Sequence, residues 1–407
     1  MTALRLLALA PFVPRLDATH GGSRAVAELL ARLGERHRVA LLALRAEGEP
    51  PVDPLLRNRC EMVREVHRPG EADGGHAATL RVALGLAAGT PMWASRWSVT
   101  AFRSMAADLV RSWNPDIVQA EYHVMAQYFE RLPGHAPRVL RQLEPGAASA
   151  GERSAQRRGP SRLLGPLDHR AWKCYESRAM AGADTVVALT DRDRESLLPL
   201  AGDTPVVVIP LGVPIPGRAA DPAGRDPSMV LFVGNFIHPP NRDAAERLVT
   251  GILPLLRARY PRAVVRIVGP HPPPALVTGA APGVTVTGEV ADVRPHLDDA
   301  AVVVAPIRLG GGMRVKVAEA LAAGKAVVAT PLAAEGLSAK DGEHLLIAET
   351  DDAIAEAIAV LLRDPSRRTA LAARAREFAT TALGWDGPVA AFEQLYARLL
   401  AVPRPHG

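Results

Sequence analysis

Short apolar runs alternate along this chain with longer stretches in which apolar residues recur every three or four positions. Runs of the first kind suit strands buried on both faces, and stretches of the second kind suit helices with one apolar stripe. Leu4–Ala10 reads as a strand, Gly22–Arg36 as a helix and Arg38–Leu44 as a strand. Val26, Leu29, Leu30 and Leu33 fall on one face of that helix. A poorly patterned stretch follows, then helices near Thr79–Ala88 and Val99–Trp113. Asp116–Ala120, Arg138–Leu143, Asp184–Leu189 and Val206–Ile209 read as further short strands, with helices such as Asp168–Met180 between them.

The rhythm then breaks. Pro214, Pro216, Pro222 and Pro227 stand with Gly217 and Gly224 in a stretch without periodicity, so Gly212–Pro227 reads as an interdomain linker. Beyond it the alternation restarts. Met229–Val233 is a strand, and Asn241 is placed to cap a helix that runs to about Arg259, burying Ala244, Leu248, Ile252, Leu255 and Leu256. Val264–Val268, Val284–Thr287, Ala301–Pro306, Ala326–Thr330 and Leu345–Ala348 read as strands, and Val293–Leu297 as a short helix. Asp352–Leu362, Pro365–Thr381 and Val389–Leu400 read as the closing helices. Strands alternating with helices imply parallel sheets covered on both faces. The expected fold class is therefore α/β, with two Rossmann-like domains facing across a cleft. The first spans 1–213, the second spans 228–385, and a final helix in 386–407 packs back on the first.

Composition changes this picture little. A chain of 407 residues is too long for one ordinary core, and a 48% hydrophobic fraction suits a packed protein. A formal charge of +5 is mild at this length. It suits anionic small molecules or peripheral contact with a membrane surface, and no zinc-finger or aromatic-basic pattern argues for nucleic acid. Cys60 and Cys174 form no metal-spaced set and read as reduced, buried thiols. The apolar segment Leu4–Ala10 is short, contains Arg5 and ends at Pro11, so it reads as a first strand and not as a signal peptide. No stretch approaches the roughly 18 apolar residues of a membrane span. The expected location is cytoplasmic, with room for contact at the inner face of the membrane.

The richest chemistry lies in Pro306–Glu319, read as strand, glycine-rich turn and helix start. Gly310, Gly311 and Gly312 let backbone N–H groups approach a ligand, and the helix N-terminus favours an anion. Arg314 and Lys316 add cations, and Glu319 can share the Lys316 face. No Gly-Lys-Ser/Thr follows, which excludes a Walker loop, and Val315 stands where a dinucleotide fingerprint needs its third glycine. On spacing alone, a tight turn before a solvated Arg–Lys–Glu face also remains open. Gly21 and Gly22, between the first strand and helix, offer a second helix N-terminus.

The segment Pro306–Leu337 closely resembles the nucleotide-sugar signature of the retaining GT-B glycosyltransferases of family 4, also called glycosyltransferases group 1. Val233–Asn241, Ile267–Gly269, Gly288–Asp292, Asp184–Thr190 and Val208–Gly212 carry supporting matches. The resemblance implies a transferase that moves a sugar from a nucleotide diphosphate sugar to an acceptor hydroxyl with retention, without metal or other cofactor. It implies that Arg314 and Lys316 hold the donor diphosphate, that the backbone of Gly310, Gly311, Gly312 and Met313 meets the donor sugar or phosphate, and that Glu319 bonds the ribose. Gly234 belongs to the same donor set, and Gly21 and Gly22 approach donor phosphate and acceptor. Gly311 departs from the usual pattern, because the first glutamate of the family's E-x₇-E motif is absent there. Backbone amides take over in related members with G-G-G-x-R-x-K. The acceptor class stays open among a glycan, a lipid-linked molecule and a small molecule.

The first half offers weaker candidates. His123 follows the strand Asp116–Ala120, where family members place a catalytic-site histidine, and Glu144 ends Arg138–Leu143. Either suits the task of orienting an acceptor hydroxyl. Arg153–Arg178 holds seven basic residues against Glu152, Asp168 and Glu176, and reads as a solvated face. Trp93 and Trp97 read as core. Two other functions remain compatible with the residues: a nucleotide-sugar epimerase and a non-catalytic sugar-nucleotide-binding partner.

Overall fold

The apolar runs become two parallel sheets. The structure is a computed structural model that describes residues 2–18, 21–68, 89–91, 94, 96–148, 150–151, 165–278, 281–310 and 315–402. The helix expected near Thr79–Ala88 and the side chain of Trp93 lie outside the described residues. The chain forms two compact units, Met1–Pro210 together with Pro388–Gly407, and Leu211–Gly387.

In the first unit, β1 (Arg5–Ala10), β2 (Arg38–Arg45), β3 (Met62–His67), β4 (Ile117–Glu121), β5 (Arg138–Arg141), β6 (Thr185–Ala188) and β7 (Val206–Val208) form one sheet. Its order is β3-β2-β1-β4-β5-β6-β7, with every pairing parallel. Order reverses between β1 and β4, which places their carboxyl ends side by side. Leu7, Leu9, Leu42, Phe102, Val118 and Leu140 are among the residues of the buried core. The helix Gly21–Leu33 buries Val26, Leu29, Leu30 and Leu33, the face expected from their spacing. The poorly patterned stretch contains the helix Pro54–Arg59, capped by the Asp53 side chain on Leu56 N–H, and the edge strand β3. β3 escapes a periodicity reading because only Val66 in it is fully buried.

The last helix, Asp386–Ala401, packs mostly with this unit. Tyr396 donates to Gln119 Oε1 at 2.6 Å, and Glu393 bonds His37 and Arg36. Below Tyr396, Glu121 and Arg141 form a fully buried ion pair at 3.1 Å.

In the second unit, β8 (Asp226–Val233), β9 (Val264–Val268), β10 (Val284–Val286), β11 (Ala300–Ala305), β12 (Ala326–Ala329) and β13 (Leu346–Ile347) form a parallel sheet in the order β10-β9-β8-β11-β12-β13. All six residues of β11 are buried, as a central strand between two helical layers requires. The order reverses here between β8 and β11. Residues 211–225 carry neither helix nor strand, and bonds such as Ala220 N–H to Ala323 O and Arg225 N–H to Asp298 O tie them to this unit.

Two local expectations are corrected. Asn241 is not a cap: the helix is Pro239–Arg247 with His238 at the cap position. Pro239 and Pro240 suit the first helical positions because their missing N–H groups would be unbonded there anyway. The helix also does not run uniformly to Arg259. A π turn, Leu248–Ile252, precedes the segment Leu253–Arg259. Pro254 explains it, since proline lacks the N–H and crowds the preceding turn. Cysteine burial is corrected as well: Cys60 is half-buried and Cys174 is exposed on the helix Gly165–Ala181. Among the described residues, no helix is long and apolar enough to cross a membrane.

Candidate functional site

In open parallel sheets, ligands bind beyond the carboxyl ends of the strands, at the point where strand order reverses. In the second unit that point lies between β8 and β11. Gly234 follows β8 and donates to Val268 O at 3.0 Å, while Gly269 follows β9. Gly269 has φ +139°, and a Cβ there would stand 1.9 Å from Gly234 O. The two backbones therefore approach this closely only because Gly269 lacks a side chain. A Cβ on Gly234 would also approach Asn241 to 3.2 Å.

Gly310, with φ +85°, follows β11. The segment leading to it is held at three points. Arg247 donates to Pro306 O at 3.0 Å, and Thr330 Oγ1 donates to Ile307 O. Arg308 makes a bidentate pair with Asp243 at 2.9 Å on each arm. Arg247 is itself buried against Asp351 at 2.6 Å. The strand exit is thus fixed from two neighbouring elements before the glycines begin. Gly311, Gly312, Met313 and Arg314 lie outside the described residues.

The chain resumes in the helix Val315–Ala322. Lys316 and Glu319 are half-buried on it, whereas Val317, Ala318, Ala320, Leu321 and Ala322 are buried. The Lys316 ammonium donates to Asn241 Oδ1 and lies 5.7 Å from the Phe232 ring centroid. Asn241 Nδ2 in turn donates to Asn235 O at 2.7 Å. So the residue expected to cap a helix instead orients a cation, from β8 across to the helix after β11. The arrangement is a positively charged helix start beside two glycine-lined strand ends, which is chemistry suited to an anion.

The first unit has its own reversal, between β1 and β4. After β1 the chain is tied down: Ser23 Oγ donates to Val13 O at 2.9 Å and accepts from Arg15 N–H, and Asp53 accepts from Leu16 N–H. Gly21 then opens its helix, exposed, with open space where a side chain would be, and Gly22 follows half-buried. After β4, Tyr122 takes φ +68° and meets Phe12 edge-on at 5.4 Å, which joins the loops that follow β1 and β4. Burial first, and then the Glu144 carboxylate, raise the Tyr122 phenol above its ordinary pKa.

His123 opens the 3-10 segment His123–Arg131 and is only 4% exposed. Its Nδ1 lies 3.0 Å from Gln142 Oε1, and its ring meets Trp172 edge-on at 5.0 Å. Gln142 reaches on to Glu176, which accepts from Gly146 and Ala147 N–H at 2.7 and 2.8 Å. Burial raises the Glu176 carboxyl above its ordinary pKa, against the pull of those donors.

Two expectations change here. β5 ends at Arg141, so Glu144 lies beyond the strand end, and it is exposed. Glu176 does not belong to a solvated face: its side chain is fully buried, whereas Arg170, Lys173 and Arg178 on the same helix are exposed. Trp97 is buried, as expected. Gln142 and Glu176 escaped the sequence reading because their partners are 19 and 34 residues away. A signal did exist, in polar residues directly after an apolar strand and on the apolar stripe of a helix. Among the described residues, no three His, Cys, Asp or Glu side chains gather as a metal site.

Residues 227–364 match the sequence profile of the family described as glycosyl transferases group 1. The D-inositol 3-phosphate glycosyltransferase of Kineococcus radiotolerans is 34% identical over 265 residues, 55% of this chain and 59% of that protein. The chain thus spans about three fifths of the length of this curated relative. Among solved structures, sucrose-phosphate synthase of Thermosynechococcus elongatus matches with a TM-score of 0.72 at 18% identity, covering 98% of this chain and 99% of that one. Anabaena HepE, solved in complex with UDP, matches with a TM-score of 0.65 at 14% identity, covering 98% and 100%. WaaG, a glycosyltransferase involved in lipopolysaccharide biosynthesis, matches with a TM-score of 0.63 at 15% identity, covering 97% and 100%. The fold is therefore that of two Rossmann-like α/β domains, as in these GT-B structures.

Proposed function

We propose that this protein is a glycosyltransferase that moves a sugar from a nucleotide diphosphate sugar to an acceptor hydroxyl. One observation carries the reading: Lys316, held by Asn241, opens the helix beside the strand-order reversal of the second unit, inside the segment that the family profile matches. A cation at a helix start, beside glycines that admit close backbone approach, is what a departing diphosphate needs.

In this reading Lys316 and Arg314 bind the diphosphate, and Glu319 accepts from the ribose hydroxyls, since a carboxylate has two accepting oxygens. Gly234 and the backbone of Gly310, Gly311, Gly312 and Met313 meet phosphate or sugar. The transfer proceeds with retention at the anomeric carbon and without a metal ion, the cations and the helix N-terminus taking up the leaving-group charge. Gly21 and Gly22 offer amides to phosphate, and the first unit presents the acceptor, with His123 or Glu144 serving its hydroxyl. The acceptor is a glycan, a lipid-linked molecule or a small molecule, met in the cytoplasm or at the inner membrane face.

The test is a thermal-shift screen of UDP-, GDP-, ADP- and dTDP-sugars, followed by product analysis with candidate acceptors. A ligand at 100 times its Kd stabilises the folded state by about 2.7 kcal/mol, so selective donor binding is readable as a raised melting temperature. Expected are one stabilising donor class and an α- or β-linked product with the donor's own anomeric configuration. An isomerised donor in the absence of acceptor would instead make the protein an epimerase. Donor binding with no product from any acceptor would make it a binding partner.

A further inference from the structure

The chain of side chains behind His123 has a direction. Glu176 is fully buried, and its two oxygens accept separately from Gly146 N–H at 2.7 Å and Ala147 N–H at 2.8 Å. Both oxygens therefore serve as acceptors in this arrangement. The Gln142 amide, 1% exposed, presents its NH2 group to the same carboxylate, with Nε2 3.3 Å from Glu176 Oε1. The other end of that amide is then its oxygen, and this end lies 3.0 Å from His123 Nδ1. An oxygen acceptor requires a donor opposite it. Two backbone N–H groups, through two side chains, thereby determine which ring nitrogen of His123 carries the proton.

We propose that Gln142 is a positioning residue, oriented by Glu176, that holds His123 as the Nδ1–H tautomer and leaves the lone pair on Nε2. Packing supports the same end. Trp172 meets the His123 ring edge-on at 5.0 Å and fills the space beside Gly146, where a Cβ would lie 2.4 Å from the Trp172 ring. The Tyr175 hydroxyl donates to His123 O at 3.3 Å and holds the backbone at the same residue. Ring plane, backbone and protonated nitrogen are thus specified together. A neutral ring so held carries its lone pair on Nε2 with no tautomer exchange needed first. The consequence for catalysis rests on the proposed sugar transfer; the tautomer itself does not.

The experiment is nitrogen-15 NMR of the histidine rings in the full chain, at about pH 8, where neutral imidazole predominates. His123 should show a protonated, pyrrole-type Nδ1 and a pyridine-type Nε2. A protonated Nε2 in the unaltered protein overturns the proposal. Gln142→Met removes the acceptor and should let the ring relax toward the Nε2–H form. Gln142→Glu keeps an acceptor toward His123 and should retain Nδ1–H. In Glu176→Ala the Gln142 amide can turn over, and a mixture of tautomers is expected; a retained single Nδ1–H form in that folded variant would remove Glu176 from the proposal.

Transfer assays provide a separate readout. Gln142→Met should lower kcat by about tenfold or more, with the donor KM unchanged, since proton transfer by a positioned side chain contributes on that scale or above. If the tautomer shifts as expected while kcat does not change, the positioning stands and His123 leaves the proposed chemistry.

Discussion

Lys316 shows how a single side chain acquires a role from its surroundings. A lysine near a helix start is ordinary; one whose ammonium is held by Asn241, 75 residues earlier, beside the end of β8, is aimed. Lys316→Ala should reduce sugar transfer by about 10²-fold or more, the scale of losing one group that stabilises developing charge. Initial-rate assays check this, and an unchanged rate would remove Lys316 from the donor site. Lys316 and Glu319 were legible in the sequence because helical spacing relates them locally. Asn241 was legible only as a polar residue near a helix start. Its bonds to Asn235 O and Lys316 depend on two elements meeting in space, and no spacing rule contains that information.

At the scale of elements, the strand ends around the candidate site are tightly constrained. Gly269→Ala would place a Cβ 1.9 Å from Gly234 O at φ +139°, a conformation closed to side chains. The variant should lose about 1–3 kcal/mol or more, measurable by urea denaturation, and should weaken nucleotide binding in parallel. Arg247→Met leaves Asp351 without its buried partner and two carbonyls, Pro306 and Glu349, without their donor. Buried carbonyls left without a donor cost about 1–3 kcal/mol, and the partly exposed Asp351 is screened by solvent, so a fall in the urea midpoint of that order is expected. Most elements were legible from periodicity, with ends displaced by a residue or a few. The exceptions have physical causes. β3 is an edge strand with one fully buried residue, and the π turn before Leu253 follows from Pro254, which a hydrophobic pattern does not register.

At the scale of the whole molecule, Lys325 ties the segment 211–225, which has neither helix nor strand, to the second unit. It is fully buried and donates to Asp221 O, and Arg376 likewise donates to Pro216 O. Burial lowers the Lys325 pKa from 10.5 to about 8. The sign follows. Below about pH 8 both folded and unfolded states hold the proton, and the burial penalty is present in full. Between about 8 and 10.5 the unfolded state binds more protons, so this group makes stability rise with pH across that window. Relative to Lys325→Met, the unaltered protein should therefore gain on the order of 3 kcal/mol across it, read from denaturation midpoints at a series of pH values.

The sequence by itself determined the α/β alternation, the restart of the pattern after the proline-rich segment, and the placement of a glycine-rich, cationic turn late in the second half. These properties follow from local sterics and from which face of each element is apolar, so they are written in adjacent residues. Tertiary structure alone decided that β8 lies beside β11 and β1 beside β4, that Asn241 meets Lys316, and that Gln142 and Glu176 stand behind His123. Those contacts join residues far apart in the chain. They exist because strand order, and not sequence neighbourhood, determines which ends share a rim of the sheet.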